Sequence, residues 1–284
     1  GLEEISRQPR HSPNAVPKAE RATLVALKHR YKRMGADQII VREHLTRSPR
    51  PIRKVWRQEG LSRRRRKKTQ TKQNLREMKR RWQLFQQIGE DTKDLCDIPE
   101  YYLQMKALGL PTVQYTARDV TSGLLFMGFA QERSLTYATL FAQYINTALR
   151  DCGVDLSHTM RQTDHGSEYI GSVTAKYDKS PYTRAIESLP GQTHGTIPPG
   201  AYTYQADVET VHNLVEMEFY EIEAFVGREE FLRKARTYQL YFNLLRPNSY
   251  KEGKTPWQLA KHKDPKLPIK TAMIPPVFIE DLLE

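Results

Sequence analysis

Cysteine is nearly absent: Cys96 and Cys152 are the only two among 284 residues. Two thiols cannot complete a four-ligand zinc module and give no disulfide framework. Both read as small buried residues, and a reducing, intracellular setting is the expectation. Also missing is any apolar run near the ~20 residues of a membrane span, and no signal peptide precedes the first helical pattern, so the expectation is a soluble chain without a membrane partner. The chain opens on Gly1 rather than Met, which leaves whatever precedes it outside the reading. Acidic residues are scarce in the first third. Residues 1–81 carry 25 Lys+Arg against 7 Asp+Glu, net +18, leaving 20 basic and 26 acidic residues, net −6, for the remainder. A basic module joined to a mildly acidic one fits a nucleic-acid anchor attached to something that needs carboxylates, although a basic tail or a solvated surface gives the same count.

The length suits two domains. Residues 1–17, with three prolines and little periodicity, read as a linker or arm. From Lys18 the spacing turns helical: Leu24, Leu27, Lys28 and Tyr31 share a face, and Met34-Gly35 reads as a stop. A second helix is predicted over 37–45. A third follows Ser48-Pro49, where serine can cap and proline suits the first turn. Ile52, Val55 and Trp56 line its apolar side, and Arg53, Lys54 and Arg57 lie opposite. Three short helices over 18–60 read as a helix-turn-helix unit or as an ordinary three-helix bundle. The segment 61–84 is a basic linker or arm: Arg63, Arg64, Arg65, Arg66, Lys67 and Lys68 run together and Lys72 follows. Such a run repels itself until phosphates neutralise it. A nuclear localisation signal is the rival reading of the six-residue cluster.

After residue 85 the pattern switches to strands, predicted over 88–96, 112–119, 124–130 and 156–163, with a hairpin at Thr121-Ser122-Gly123. Helices are predicted from Ser134 to about Cys152, near 182–189 within an otherwise irregular 171–204, and over 207–225 and 229–244. Strands with helices threaded between them give a mixed α/β class, with a core at 85–226 and C-terminal helices and tail at 227–284.

Three acids stand at element edges: Asp91 within the first strand, Asp164 after a strand and before Gly166, and Glu209 in the first turn of a helix. Three carboxylates, distant in sequence, are what is needed to hold two hard cations about 4 Å apart for phosphodiester chemistry. Strand alternation puts Asp91, Lys93 and Leu95 on one side, and helix spacing aligns His212, Asn213 and Glu216 with Glu209. Asp94 and Asp97 compete for the first position. Glu168, Asp207, Glu216 and Glu218 compete for the third. Asp119 reads as a turn residue, Trp56 and Trp82 as packing. His194, Tyr202 and Tyr204 either touch distorted nucleic acid or pin a loop.

The surroundings of these acids carry a resemblance. Asp91-Thr92-Lys93, Thr163-Asp164-His165-Gly166-Ser167-Glu168, Asp207-Val208-Glu209, 241–248 and Lys254-Thr255-Pro256-Trp257 resemble the catalytic core of retroviral-integrase-like transposases of the DDE class, bacterial insertion-sequence enzymes in particular. Gly35-Ala36-Asp37-Gln38-Ile39 and Glu59-Gly60-Leu61-Ser62-Arg63 are similar to the helix-turn-helix and arm of the same enzymes. The resemblance implies an RNase H-like mixed-sheet fold and Asp91, Asp164 and Glu209 as catalytic ligands of two Mg²⁺ ions, with Mn²⁺ tolerated. It implies double-stranded element ends and target as partners, a homodimer or larger assembly on DNA, and a cytoplasmic, nucleoid-associated bacterial protein. His165 stands where relatives carry Asn, and with His212 is an auxiliary candidate. Asp164 and Glu209 are separated more widely than in retroviral relatives. A catalytically inactive DNA-binding regulator and a nuclease without joining activity are the alternatives.

Replacing 63–68 by neutral residues is expected to weaken binding to every duplex and flatten its salt dependence, since phosphate contacts position without specifying. Changing Arg53 or Arg57 should instead erode discrimination between element ends and random DNA, at about 1–3 kcal/mol per base contact. Salt titrations of the two variant classes separate these outcomes.

Overall fold

The computed structural model describes residues 15–31, 34–62, 81–171, 179–197, 206–248 and 251–283. The basic residues 63–68 and Lys72, and the loop residues Tyr202 and Tyr204, lie outside them. The chain divides into two compact units, 1–71 and 72–284. Among the described residues no helix is long and apolar enough to cross a membrane.

The first unit holds α1 (Lys18–Arg30), α2 (Ala36–Arg42) and α3 (Pro49–Gln58). They close on Leu24, Ala36, Ile39, Ile52, Val55 and Trp56. The Trp56 indole donates to the Leu24 carbonyl at 2.9 Å, so the largest core side chain also satisfies its polar atom. Two local expectations change. Gly35 does not end α1, which stops at Arg30; it stands extended at the N-cap of α2, its N–H donating to Gln38 Oε1 at 3.0 Å. Ser48 occupies the N-cap of α3 but makes no side-chain cap, and Pro49 alone marks that start. Arg53, Lys54 and Arg57 are exposed on α3, and Arg53 is paired with Asp37.

Among the described residues the second unit is built on six strands: β1 (Gln87–Asp94), β2 (Val113–Asp119), β3 (Leu125–Ala130), β4 (Met160–Thr163), β5 (Thr193–Thr196) and β6 (Val277–Phe278), ordered β5-β4-β1-β2-β3-β6. The first three are antiparallel neighbours; β4 joins β1 in parallel, and β5 and β6 extend the two edges in parallel. Helices cover both faces, which gives a mixed α/β arrangement. The faces are legible in β3. Phe126 and Ala130 belong to the core beneath α5 (Leu135–Asp151), while Leu125, Met127 and Phe129 belong to the opposite core under α9 (Arg228–Leu244). A strand with both faces covered is buried at every position, as β3 is.

The predicted strand over 156–163 shortens to β4 because Asp155 Oδ1 accepts the Ser157 N–H at 2.9 Å and folds the preceding residues into a turn. The predicted helix over 207–225 is α8 (Ala206–Val215) followed by a wide π-helical turn, Glu216–Tyr220. Between β1 and β2 lies a helix the pattern did not announce, α4 (Pro99–Leu108); α6 (Ser167–Ile170), α7 (Pro181–Glu187) and α10 (Pro256–Lys263) are the other α-helices among the described residues.

The expected division between 85–226 and 227–284 does not correspond to a break in packing. β6 lies in the sheet, and α9 supplies hydrogen bonds to β3. Asn243 Oδ1 accepts the Leu125 N–H at 2.8 Å, and its amide nitrogen donates to the carbonyls of Leu125 at 2.9 Å and Ala272 at 3.1 Å. Gln239 Oε1 accepts the Met127 N–H at 2.9 Å. Two buried amides thus complete a strand whose outer neighbour is only two residues long. Asn243→Leu keeps the bulk and strands these groups, so the denaturation midpoint is expected to fall by an amount worth about 2 kcal/mol or more with near-native circular dichroism. An unchanged midpoint would mean that the β3 edge is satisfied without α9.

Candidate active site

Asp91 lies on the central strand, and strand alternation divides its neighbours. Glu90 points to the α5 side, where it pairs with the buried Arg161 and accepts the Tyr182 hydroxyl at 2.7 Å. Asp91 points to the α8 side. Gly89 is the register partner of Gln162 in the parallel β1/β4 pair. Two residues further along, the chains carry Asp91 and Asp164, so pairing sets the two aspartates side by side across the sheet.

Asp164 is held by its own turn, Oδ1 accepting the Gly166 N–H at 2.8 Å. A Cβ on Gly166 would crowd the carboxylates of Glu168 and Asp164, which would have to shift to admit it. Glu168, at the start of α6, is buried and accepts the Thr92 hydroxyl at 2.8 Å, with Arg133 Nε 3.7 Å away. Glu209 is exposed in the first turn of α8.

These placements converge electrostatically on Asp91. Burial first, and then the charge of Asp164, push its carboxyl up to about 7; Glu168 and Glu209 add to the rise, against the opposing Thr92 N–H. Four carboxylates from β1, the end of β4, α6 and α8 therefore share one field. Among the described residues, however, no three His, Cys, Asp or Glu side chains are drawn together tightly enough to hold a metal ion. The acids are gathered without being closed.

The other expected residues fall elsewhere. Glu216 is taken by Lys93 at 2.7 Å and Glu218 by Arg246 at 2.7 Å. Asp94 pairs with Arg133 at 3.1 Å, and Asp97 is exposed. Asp119 is a buried turn former, accepting the N–H groups of Phe85 at 2.9 Å and Ser122 at 2.6 Å. The side chain of Asp207 lies outside the described residues. His165 is exposed. His194 pins its segment: Nε2 lies 2.9 Å from Thr163 Oγ1 and Nδ1 2.8 Å from Thr183 Oγ1, and burial pushes the ring down to about 4. His212 is buried with Nδ1 3.8 Å from Asp91 Oδ2, and is pushed down to about 3 by burial and, secondly, by Lys93. Arg53, Lys54 and Arg57 belong to the other unit. Sequence reasoning missed Arg133 and Thr92, whose roles depend on contacts across 39 and 76 positions that no local pattern encodes.

No known family model matches the chain, and no curated protein does. Among solved structures, a chain of the simian T-cell lymphotropic virus intasome in complex with PP2A regulatory subunit B56 gamma is 16% identical, with 84% of this chain and 74% of that chain covered and a TM-score of 0.48. The catalytic core domain of BIV integrase is also 16% identical, with 63% of this chain and 96% of that chain covered and a TM-score of 0.42.

Proposed function

We propose that this chain is a DNA transposase of the DDE class, which binds element ends and cuts and joins DNA strands with divalent cations. The observation that carries the reading is Asp91, whose carboxyl is held near 7 by burial and by Asp164, Glu168 and Glu209. Gathering like charges in a half-buried site costs folding free energy, and hard divalent cations are the partners that repay it. The donor set is all oxygen, which fits Mg²⁺ and tolerates Mn²⁺.

Asp91, Asp164 and Glu209 would hold the ions, which when bound supply activation of a water or 3′-hydroxyl and charge stabilisation at the leaving oxygen. The residues of the chain prepare that chemistry. The β1/β4 register sets the two aspartates side by side, and the Gly166 N–H holds one oxygen of Asp164 in place. Glu168 is tied to Thr92 and Arg133, which suits support of the site, whereas exposed Glu209 at a helix start remains free to turn inward. Glu216 and Glu218 are engaged by cations and do not compete. Arg53, Lys54 and Arg57, with the basic run 63–68 and Lys72, would bind the phosphates and end sequence of duplex DNA. Since two ends must be brought together, a dimer or larger assembly on DNA follows.

The test is incubation with labelled DNA from the element's ends, a target plasmid and Mg²⁺. Joined products support the proposal, cleavage alone indicates a nuclease, and binding alone indicates a regulator. Asp91→Asn, Asp164→Asn and Glu209→Gln are each expected to lower joining by ~10³-fold or more while DNA binding persists. Near-normal turnover of one variant would remove that residue from the site and bring Glu168 forward.

A second outcome follows from the sign of the Asp91 shift. The folded state holds its proton up to about pH 7 and the unfolded chain only to about 4, so Asp91 costs stability above 7 and that cost disappears as pH falls toward 4. In metal-free buffer at pH 8, Asp91→Asn is expected to melt several degrees above the wild type, the gap closing near pH 4; millimolar Mn²⁺ should stabilise the wild type alone. Melting curves across pH check both.

A further inference from the structure

Behind Asp91 runs a line of buried polar side chains that carboxylate chemistry alone does not require. The Tyr220 hydroxyl donates to Gln114 Oε1 at 2.6 Å, and the Gln114 amide nitrogen donates to Thr116 Oγ1 at 2.8 Å. Thr116 Oγ1 lies 3.0 Å from His212 Nε2, and His212 Nδ1 lies 3.8 Å from Asp91 Oδ2. Tyr220 and Gln114 are 0% exposed, Thr116 1% and His212 7%. Such a line in a core is costly unless every member is satisfied, so its direction matters.

The direction can be followed atom by atom. Tyr220 has one hydroxyl hydrogen, and giving it to Gln114 Oε1 fixes which end of the amide faces Thr116. Thr116 accepts from that amide and keeps its own hydrogen for His212, 3.0 Å away. With that hydrogen given to Nε2, a neutral imidazole carries its own on the other nitrogen, so the His212 tautomer reads out the direction of the line. Register reinforces the geometry: Thr116 is the cross-strand partner of Asp91 and Gln114 that of Lys93, so the relay and the acid share the face under α8.

We propose that His212 is a positioning residue whose Nδ1–H is fixed towards Asp91 by a hydrogen-bond relay that starts at Tyr220. The role rests on Asp91 being a site acid. Thr92 N–H donates to Asp91 Oδ1 at 2.9 Å, and His212 Nδ1 stands 3.8 Å from the other oxygen, Oδ2, so each carboxylate oxygen has its own neighbour. It also makes His212 no ligand, because Nε2 is occupied and Nδ1 carries hydrogen. Outer donors of this kind orient metal-binding carboxylates, and their loss typically costs 10–100-fold in metal affinity.

The relay is read by two-bond ¹⁵N–¹H correlation on the full-length, metal-free chain labelled at its 8 histidines, with His212 assigned from a variant. The Nδ1–H tautomer is expected; the Nε2–H tautomer or an imidazolium overturns the proposal. Mn²⁺ titration by calorimetry gives the second readout. His212→Asn keeps an amide donor at the Nδ1 position and should bind Mn²⁺ within a few-fold of wild type. His212→Gln, whose amide reaches the Nε2 position, and Thr116→Val should each weaken binding about tenfold. Equal losses in the Asn and Gln variants would mean that His212 only fills space, and overturn the proposal. A wild type that binds no Mn²⁺ counts against the carboxylate site itself, while the tautomer still decides the relay.

Discussion

The ion pair between Arg161 and Glu90, both within 1% of complete burial, joins the two strands on which the site depends. Arg161 also donates to Asn146 of α5, and Glu90 accepts the Tyr182 hydroxyl from α7. Charges this deep are costly to desolvate, and removing one partner strands the other, which typically destabilises by about 3–5 kcal/mol. The pair therefore tolerates few alternative packings. A one-residue slip of β4 would carry Arg161 to the opposite face and away from Glu90. The register that avoids this is the one that sets Asp91 beside Asp164.

β1 thus separates two electrostatic regimes across the thickness of one strand. On the α5 side opposite charges meet in low dielectric, with both terminal nitrogens of Arg161 engaged and only its Nε left without a hydrogen-bond partner. On the α8 side like charges meet, and Asp91 bears the consequence in its raised carboxyl. Gly166 belongs to the same economy of space, since a single Cβ there would collide with two of the acids. Stability and the proposed chemistry pull against each other at Asp91, a usual arrangement where a site needs a charge the fold would sooner neutralise.

Much of the frame is legible in the sequence. The helix capped by Ser134, the hairpin at 121–123 and the three-helix unit follow from capping, turn and spacing rules, and the three acids stand where expected along their elements, Asp91 inside β1, Asp164 just after β4 and Glu209 in the first turn of α8. Short elements escape this reading. β5 has four residues and β6 two, too few for alternation to register, and α4 has no clear amphipathic stripe. Asp155 turning the chain before β4, and the π-helical turn that ends α8, are decided by single hydrogen bonds and by packing on distant elements.

The sequence by itself determined the uneven charge, the reading of a mixed α/β class and which acids were candidates, because composition, periodicity and turn chemistry are local properties. It left Glu168, Asp207, Glu216 and Glu218 as rivals of Glu209. Only the tertiary structure shows which of them meet cations, because those cations come from distant segments: Lys93 engages Glu216, Arg246 engages Glu218 and Arg133 stands 3.7 Å from Glu168, while Glu168 and Glu209 both add to the field of Asp91. The relay behind His212 was likewise beyond the sequence, since hydrogen-bond direction exists only once β2, α8 and the turn at Tyr220 are packed together.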